Sequence, residues 1–331
     1  MQKDISIIIP VCNSEMFLNR CLDSICGQEL ENIEIICIDD ASSDKSTNIL
    51  KNYALHDDRI LIITMNHNRG ASVARNVGIT VASGKCIGFI DSDDTLDSDF
   101  YLKLKNGMEQ SDADVVEANI RIVDGEGKKY CPLQWSWFCS SLFRADFLKK
   151  NSIFFPAGFR CEDAVFMARV LLHLPVRKKI EKTYYNYHQI LSSGSHKNTD
   201  KNATKDLSAY ELIFSEILQY AAVGNISQAY AQNLSLIFFQ LLLSRITRNF
   251  SRHMKLLASK FLIKLYTTYP YINDIDSTLS QSDPILLELL RKGDSEKLAS
   301  FLLLGKRIFA DKLRKSLINR EQANHQANHI N

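Results

Sequence analysis

The chain has 331 residues, of which 45% are hydrophobic and 24% charged, an ordinary composition for a globular protein that excludes disorder over most of its length. The formal net charge is only +2, but residues 241–331 carry 15 lysines and arginines against 8 acidic residues, whereas residues 1–240 carry 25 against 30. The basic C-terminal part is suited to contact an anionic surface. The acidic balance of the rest of the chain argues against a protein that binds nucleic acid throughout its length.

The cysteines and the apolar stretches indicate a cytoplasmic protein. Eight cysteines occur without any Cys-x-x-Cys pair, so the spacing of a zinc ribbon is absent, and several of them lie inside apolar runs. The N-terminus leads directly into a predicted strand without a secretory signal, and the longest strongly apolar stretch, residues 234–243, is too short to span a bilayer. We therefore expect a reducing compartment.

The first hundred residues alternate between short β-branched apolar runs and amphipathic patterns. The predicted strands are 5–10, 33–40, 59–65 and 85–91, and the predicted helices between them are 14–28, 43–55 and 71–83. Such an alternation predicts an α/β fold with a mainly parallel, doubly wound sheet and right-handed crossovers.

The remainder of the chain has a different pattern. A helix is predicted from residue 100, followed by a strand over 113–123, and residues 131–200 are less regular. From residue 203 the pattern is helical, with a final helix at 296–318 whose apolar residues are interleaved with basic ones. The tail, residues 321–331, contains a duplicated "QANH" and is expected to be disordered.

Polar residues follow each of the four predicted parallel strands at the point where the strand ends. These groups are Pro10-Val11-Cys12-Asn13, Asp39-Asp40, Asn66-His67-Asn68 and Asp91-Ser92-Asp93-Asp94. Ligands of open α/β sheets bind beyond the carboxyl ends of the strands. One acidic strand end is usually a helix cap or a turn, but two acidic ends in one crevice favour a binding site.

The residue types in this crevice favour a divalent cation. Neither Gly-x-Gly-x-x-Gly after the first strand nor Gly-x-x-x-x-Gly-Lys-Ser/Thr anywhere is present, so phosphates are not expected to rest mainly on backbone amides. Carboxylates bind phosphate through Mg²⁺ or Mn²⁺, which takes one or two carboxylates together with phosphate and water oxygens. Asp91 and Asp93 are the candidate ligands, provided that the chain turns between them.

The stretch "DSDDT" (91–95) is open to two other interpretations. An EF-hand loop starting at Asp91 would place Leu96 at its invariant glycine and Leu102 at its bidentate glutamate, so that interpretation fails. The stretch also fits the DxDxT of haloacid-dehalogenase-type phosphatases. In that family the motif ends the first strand of the catalytic core, whereas here it ends the fourth predicted strand.

An ordered set of motifs resembles the family 2 inverting glycosyltransferases of the GT-A fold, especially bacterial enzymes that build surface polysaccharide. The matching stretches over residues 4–190 are "SIIIPVCNSEMFLNRCLDSI", "EIICIDDASSDKS", "NHNRGASVARNVGI", "GKCIGFIDSDDTLDSDFY" and "FRCEDAVF". The resemblance implies a GT-A domain over 1–200, with a nucleotide-sugar half (1–124) and an acceptor half (125–200), and a helical C-terminal region over 201–320.

The resemblance also implies how the nucleotide is bound. Asp39 would contact the uracil or the ribose of a UDP-sugar, Pro10 and Val11 would line the base pocket, and Arg75 would help to hold the nucleotide. Where Cys12 stands, the family usually has an aromatic residue that stacks near the base, and a cysteine cannot stack.

The catalytic roles implied by the resemblance involve three carboxylates. Asp93 would be the main ligand of Mn²⁺ or Mg²⁺, and Asp91 would bind the ribose or the metal. Asp163, in the Glu162-Asp163 pair, would be the general base, although acidic residues also suit the N-terminus of the helix predicted there. His196 is a candidate additional metal ligand, although a surface-loop histidine is the simpler interpretation.

The function implied is transfer of a sugar, with inversion, from a nucleotide sugar to a glycan or lipid-linked acceptor. UDP-linked hexose or N-acetylhexosamine is the expected donor, and lipopolysaccharide, capsule or exopolysaccharide synthesis the expected setting. Trp135 and Trp137 are equally compatible with stacking on an acceptor and with buried packing. The basic final helix would allow weak contact with the anionic inner face of the cytoplasmic membrane. The alternatives are a DxDxT phosphatase and a nucleotide-sugar-binding protein without turnover.

Overall fold

The computed structural model describes residues 2–124, 127–131, 137–189, 200–269 and 284–304. The chain divides into two compact units. The first unit is formed by Met1–Gly158 and Glu162–Ser193, and the second unit by Phe159–Cys161 and Gly194–Asn331.

The strands described in the first unit form one mixed sheet. They are β1 (Ile5–Val11), β2 (Ile33–Asp39), β3 (Ile60–Thr64), β4 (Cys86–Phe89), β5 (Thr95–Leu96), β6 (Val115–Asp124), β7 (Gly127–Cys131), β8 (Ser141–Arg144) and β9 (Arg177–His188). Their order is β3-β2-β1-β4-β8-β6-β9-β5, and β7 pairs with β6. Strands β1 to β4 are parallel to one another, whereas β8 runs antiparallel to both of its neighbours, β4 and β6.

Helices connect these strands. They are α1 (Leu18–Cys26), α2 (Ser46–Ala54), α3 (Ala71–Val81), α4 (Phe100–Ser111), α5 (Ala145–Lys150) and α6 (Glu162–Leu172), with a 3-10 turn at Phe138–Ser140. The α/β architecture and the seven elements predicted up to residue 91 are confirmed, with ends that shift by up to four residues. The short strand β5 was not predicted, because two residues carry no periodic signal.

Strand β1 shows why the parallel part forms where it does. All seven of its side chains are buried, as expected for a strand covered on both faces, and Ile7 lies between Ile35 of β2 and Gly88 of β4. Helix α1 buries Leu18 and Leu22 on the face that its hydrophobic spacing predicts.

An aromatic cluster supports the sheet beneath the end of β4. Phe89 makes edge-to-face contacts with Phe138, Phe143, Phe155 and Phe166, at centroid distances of 5.4–6.0 Å. Phe155 stacks on Phe166 of α6 at 4.0 Å. Since such pairs favour defined ring geometries, the cluster fixes α6 against β4.

The described residues of the second unit form helices and the segments between them, with no strand, as the helical pattern from residue 203 predicts. Its helices are α7 (Asp200–Ala222), α8 (Gln228–Asn249), α9 (Arg252–Thr268), α10 (Pro284–Lys292) and α11 (Ser295–Leu304). Ser227 and Ser251 cap the N-termini of α8 and α9 by accepting hydrogen bonds from the backbone N–H groups of Tyr230 and Met254. The described part of the chain contains no helix with the length and apolarity needed to cross a bilayer. Most of the predicted final helix, from residue 305 onward, and the tail lie outside the described residues.

Candidate functional site

A cavity of about 250 Å³ opens at the carboxyl edge of the parallel strands, within the first unit. It is lined by Pro10, Val11, Cys12, Asp40, Ala71, Arg75, Asp91 and Ser92. These residues come from the ends of β1, β2 and β4 and from the first turns of α3. Three of the four polar strand ends that were predicted to meet at one edge of the sheet therefore line one cavity.

The wall formed by the end of β1 is partly apolar. Pro10, Val11 and Cys12 line the cavity side by side. The amide of Asn68, which follows β3, donates a hydrogen bond to the Cys12 sulfur at 3.0 Å. The exposed Cys12 is therefore held in the cavity wall by the segment after β3.

At the end of β2, two buried carboxylates accept hydrogen bonds from the loops around them. The Asp39 carboxylate accepts from the Ser42 backbone N–H at 3.0 Å and from the Thr47 hydroxyl at 2.6 Å. The Asp40 carboxylate accepts from the backbone N–H groups of Arg69 and Gly70 at 2.8 and 2.7 Å. Asp40 lines the cavity, and Asp39 is not among its lining residues.

Gly70 is required by this arrangement. Its φ of +87° lies in the region that side chains rarely adopt, and it immediately precedes α3. The turn aims its N–H group at Asp40, so the loop after β3 and the end of β2 are fixed to each other at the mouth of the cavity.

At the end of β4 the chain turns, as the metal-site hypothesis requires. The Asp94 N–H donates to the Asp91 carbonyl at 3.0 Å, and Ser92 and Ser14 share a hydrogen bond between their hydroxyls at 2.7 Å. The backbone carbonyl of Asp93 accepts from Arg20 at 2.5 Å. The turn thus brings three aspartates of the sequence close together.

These three carboxylates are in different environments. Asp94 is buried, and it accepts hydrogen bonds from the Tyr185 hydroxyl at 2.6 Å and from the His188 N–H at 2.8 Å. Burial and the charges of Asp91 and Asp93 nevertheless raise the pKa of Asp94 well above its usual value. Burial and then the charge of Asp91 raise the pKa of Asp93 to about 6. Burial and mutual repulsion therefore both disfavour the charged forms of Asp93 and Asp94 at this turn.

This donor set fits a divalent cation. Among the described residues, no group of three or more His, Cys, Asp or Glu side chains forms a complete metal site. Mg²⁺ and Mn²⁺, however, are commonly held by one or two carboxylates while phosphate and water complete the shell. Asp91 and Asp93 provide two such carboxylates, and a cation would relieve their mutual repulsion. His196 lies outside the described residues.

Arg75 is buried between two carboxylates. One guanidinium nitrogen donates to the Asp91 carboxylate at 2.7 Å, and the other donates to the Glu162 carboxylate at 3.1 Å. Burial alone would lower the pKa of Arg75, but the charges of Asp91 and Glu162 outweigh it and raise the pKa. The structure thus connects the end of β4 to the start of α6 through one side chain.

The predicted general base lies at the start of α6. Glu162 and Asp163 occupy the first turn of this helix, where carboxylates suit the helix dipole. The helix is held behind them by buried apolar residues such as Val165 and Phe166. Arg75 joins Glu162, and not Asp163, to Asp91.

Two aromatic residues lie near the aspartates. The Trp137 and Tyr187 rings contact each other edge to face at 5.1 Å, and both are half-buried. Burial and then the charges of Asp94, Asp93 and Asp91 raise the pKa of Tyr187 to about 12. Trp137 thus packs on Tyr187 near the aspartates that follow β4, whereas Trp135 lies outside the described residues.

The structure adds residues that sequence reasoning did not assign to the site. Asp40 and Ser92 line the cavity, and Glu162 is paired with Arg75. Asp40 and Glu162 each adjoin a predicted site residue, so the acidic pairs were visible. Which member of each pair faces the cavity or the arginine depends on the local backbone, which the sequence pattern does not resolve.

Comparison with known proteins gives one matching family. Residues 6–173 match the family model described as glycosyl transferase family 2. A poly(ribitol-phosphate) beta-glucosyltransferase of Bacillus spizizenii is 33% identical over 211 residues, which are 58% of this chain and 33% of that protein. An uncharacterized glycosyltransferase of Bacillus subtilis, EpsJ, is 39% identical over 130 residues, 39% of this chain and 38% of that protein. The matches thus span less than half the length of these two relatives.

The fold is also that of a solved protein. The crystal structure of S. aureus TarS 1-349 in complex with UDP-GlcNAc superposes with a TM-score of 0.74 at 19% identity, covering 89% of each chain. At this identity the likeness establishes the fold, and it extends over most of the helical second unit as well as the first.

Proposed function

The chain belongs to glycosyl transferase family 2, and from this premise we propose that it transfers a sugar, with inversion, from a nucleotide sugar to a glycan or lipid-linked acceptor. The observation that carries the proposal is the placement of Asp91 and Asp93 at the turn after β4, with Asp91 lining a cavity that has a partly apolar wall. The carboxylates can bind the diphosphate of the donor through a cation. The apolar wall can contact its nucleobase.

The donor-binding roles follow the layout of the cavity. Pro10 and Val11 offer apolar surface to a nucleobase, and Arg75 adds positive charge near the diphosphate. We assign Asp39 to support of the nucleoside pocket, since its carboxylate holds the loop after β2. Because the Cys12 side chain cannot stack on the nucleobase, we propose that the nucleobase is held by contact with Pro10 and Val11.

Asp91 and Asp93 would hold a divalent cation, Mn²⁺ or Mg²⁺, which stabilises the departing diphosphate when it is bound. Asp163 is the proposed general base, which takes the proton from the acceptor hydroxyl as its oxygen attacks the anomeric carbon. The first turn of α6 presents Asp163 from a rigid element, so the base is held in one place while the acceptor aligns.

The proposed donor is a UDP-linked hexose or N-acetylhexosamine. The likeness to TarS, whose structure was solved with UDP-GlcNAc, supports a UDP-sugar, and the relation to a poly(ribitol-phosphate) beta-glucosyltransferase supports a bacterial surface polymer as acceptor. We propose a cytoplasmic location for this reaction, in keeping with the free cysteines.

The proposal is tested by ligand-induced stabilisation and by a donor screen. UDP with Mn²⁺ at about 100 times its Kd is expected to stabilise the fold by about 2.7 kcal/mol, seen as a raised melting temperature. UDP with a chelator is the control. A UDP-release screen over UDP-hexoses and UDP-N-acetylhexosamines then identifies the donor.

Three outcomes separate this function from its alternatives. Absence of any stabilisation by UDP and Mn²⁺ would count against a nucleotide-sugar site. Stabilisation without UDP release for any donor and acceptor would indicate a binding protein. Trapping of a phosphoryl group on Asp91 would indicate a phosphatase, an activity that the family membership disfavours.

A further inference from the structure

The bridge from Asp91 to α6 passes through a single, fixed guanidinium. Arg75 donates through its two terminal nitrogens, to Asp91 at 2.7 Å and to Glu162 at 3.1 Å. Because the guanidinium is planar, the position of one carboxylate restricts the position of the other.

The surroundings of Arg75 leave this group little freedom. The guanidinium carbon lies 4.6 Å from the centre of the Phe138 ring and 5.2 Å from that of Phe155, and only 5% of the residue is exposed. Its Nε is buried without a hydrogen-bond partner among the described residues. Within that set, the two carboxylates alone receive its hydrogen bonds and so set its orientation.

From these contacts we infer that Glu162 is a positioning residue: through Arg75 it holds the first turn of α6, and Asp163 with it, in place against Asp91. Glu162 and Asp163 are adjacent in one helical turn, so a shift of the first moves the second. The inference rests on the proposed function, because it concerns the proposed base and the proposed cation ligand.

A purely structural role is the competing explanation. A buried ion pair is weak evidence for stability, and removal of one partner destabilises a fold wherever the pair lies. A matched control is therefore needed, and the first unit provides one. Arg177 donates to both oxygens of the buried Glu117 carboxylate, at 2.9 and 2.8 Å, in the pairing of β6 with β9.

The experiment compares Glu162→Ala, Glu162→Gln and the control Glu117→Gln with the wild-type chain. For Glu162→Ala we expect kcat for UDP release to fall by about 100-fold, the loss typical of a catalytic group displaced by about 1 Å. The Kd of UDP with Mn²⁺ should stay unchanged, because this Kd does not contain the chemical step and Arg75 retains Asp91 as a partner. Glu162→Gln should recover part of kcat, because the amide oxygen still accepts from Arg75. Glu117→Gln should lower the melting temperature and leave kcat unchanged.

Two results would overturn the inference. Wild-type kcat in Glu162→Ala would show that Asp163 does not depend on the bridge. A parallel loss of UDP affinity and kcat would make Glu162 a donor-binding residue instead.

A second measurement keeps the test independent of turnover. Amide hydrogen exchange in residues 163–167 should be faster in Glu162→Ala than in the wild-type chain, and unchanged in Glu117→Gln. If the wild-type chain releases no UDP from any donor, the proposed function fails, whereas the exchange result still decides whether Glu162 anchors α6. Unchanged exchange in Glu162→Ala would refute the anchoring.

Discussion

The acidic ends of β2 and β4 look alike in the sequence and differ in the structure. At the end of β2, Asp39 and Asp40 each accept two hydrogen bonds from neighbouring loops. At the end of β4, Asp91 has Arg75 as a partner, whereas the pKa of Asp93 is raised to about 6 by burial and by the charge of Asp91.

We propose that this difference separates a structural carboxylate from a ligand-binding one. A carboxylate whose oxygens are satisfied by backbone N–H groups and hydroxyls stabilises a loop. A carboxylate placed close to another without enough donors favours a cation, since the cation supplies the missing positive charge. If this distinction holds, replacements at the end of β4 should abolish cation-dependent binding, whereas replacements at the end of β2 should lower stability.

Replacement of the proposed base should have the largest effect. Asp163→Asn is expected to lower kcat for sugar transfer by about 10²–10⁴-fold, because the amide cannot accept the proton of the acceptor hydroxyl. Stabilisation by UDP and Mn²⁺ should be unchanged, as this carboxylate is not a proposed ligand. Transfer at the wild-type rate would remove Asp163 as the base.

Replacement of the proposed main metal ligand should abolish cation-dependent binding. In Asp93→Ala, UDP with Mn²⁺ should no longer stabilise the fold, a loss of about 2.7 kcal/mol at a concentration of 100 times the wild-type Kd. Asp99→Asn is the matched control in the same stretch, because Asp99 is paired with Thr183 and Lys103. Equal melting-temperature shifts in Asp93→Ala and the wild-type chain would contradict the distinction between the two strand ends.

Replacement at the end of β2 should instead affect stability. Asp40→Ala removes the acceptor of the Arg69 and Gly70 N–H groups and should lower the free energy of unfolding by about 1.5–3 kcal/mol. Urea denaturation without ligands measures this change, with Asp99→Asn again as the control. A variant as stable as the wild-type chain would show that water replaces the carboxylate.

The fold could be predicted from the sequence because its signals are local and repeated. The isoleucine-rich run of β1 and the spacing of Leu18 and Leu22 in α1 determine element type without tertiary information. The same holds for the place of the site, since the carboxyl ends of parallel strands share one edge. The nine-strand order could not be read in this way, because β8 enters between β4 and β6 from a distant, weakly patterned segment.

Within the candidate site, the sequence motifs identified the acidic pairs, but they did not show which partner each carboxylate contacts. Asp40 lines the cavity, while Asp39 accepts hydrogen bonds from its own loop. Glu162, and not the adjacent Asp163, forms the ion pair with Arg75. These assignments depend on φ and ψ at single residues, such as the φ of +87° at Gly70. They also depend on packing partners more than sixty residues away, such as Phe138 against Arg75. Neither single backbone angles nor distant packing partners produce a periodic pattern in the sequence.

The smallest predicted effect is the pH dependence contributed by Asp44 in the loop between β2 and α2. Its carboxylate accepts from the backbone N–H groups of Glu15 at 3.0 Å and Ser46 at 2.9 Å. Burial opposes ionisation, but hydrogen bonds from Ser46 and Glu15 outweigh it and lower the pKa of Asp44 below its usual 3.8.

Since the folded chain favours the ionised form, the contribution of Asp44 is present above the pKa of the unfolded chain and is lost as the pH falls through the lower, folded value. Solvent screening limits it to about 0.2–1 kcal/mol. Urea midpoints of the wild-type chain and Asp44→Asn should therefore differ most above the pKa of the unfolded chain and converge as the pH falls through the lower, folded value. A constant difference across this range would mean that Asp44 acts through its shape and not through its charge, unlike the carboxylates at the end of β4.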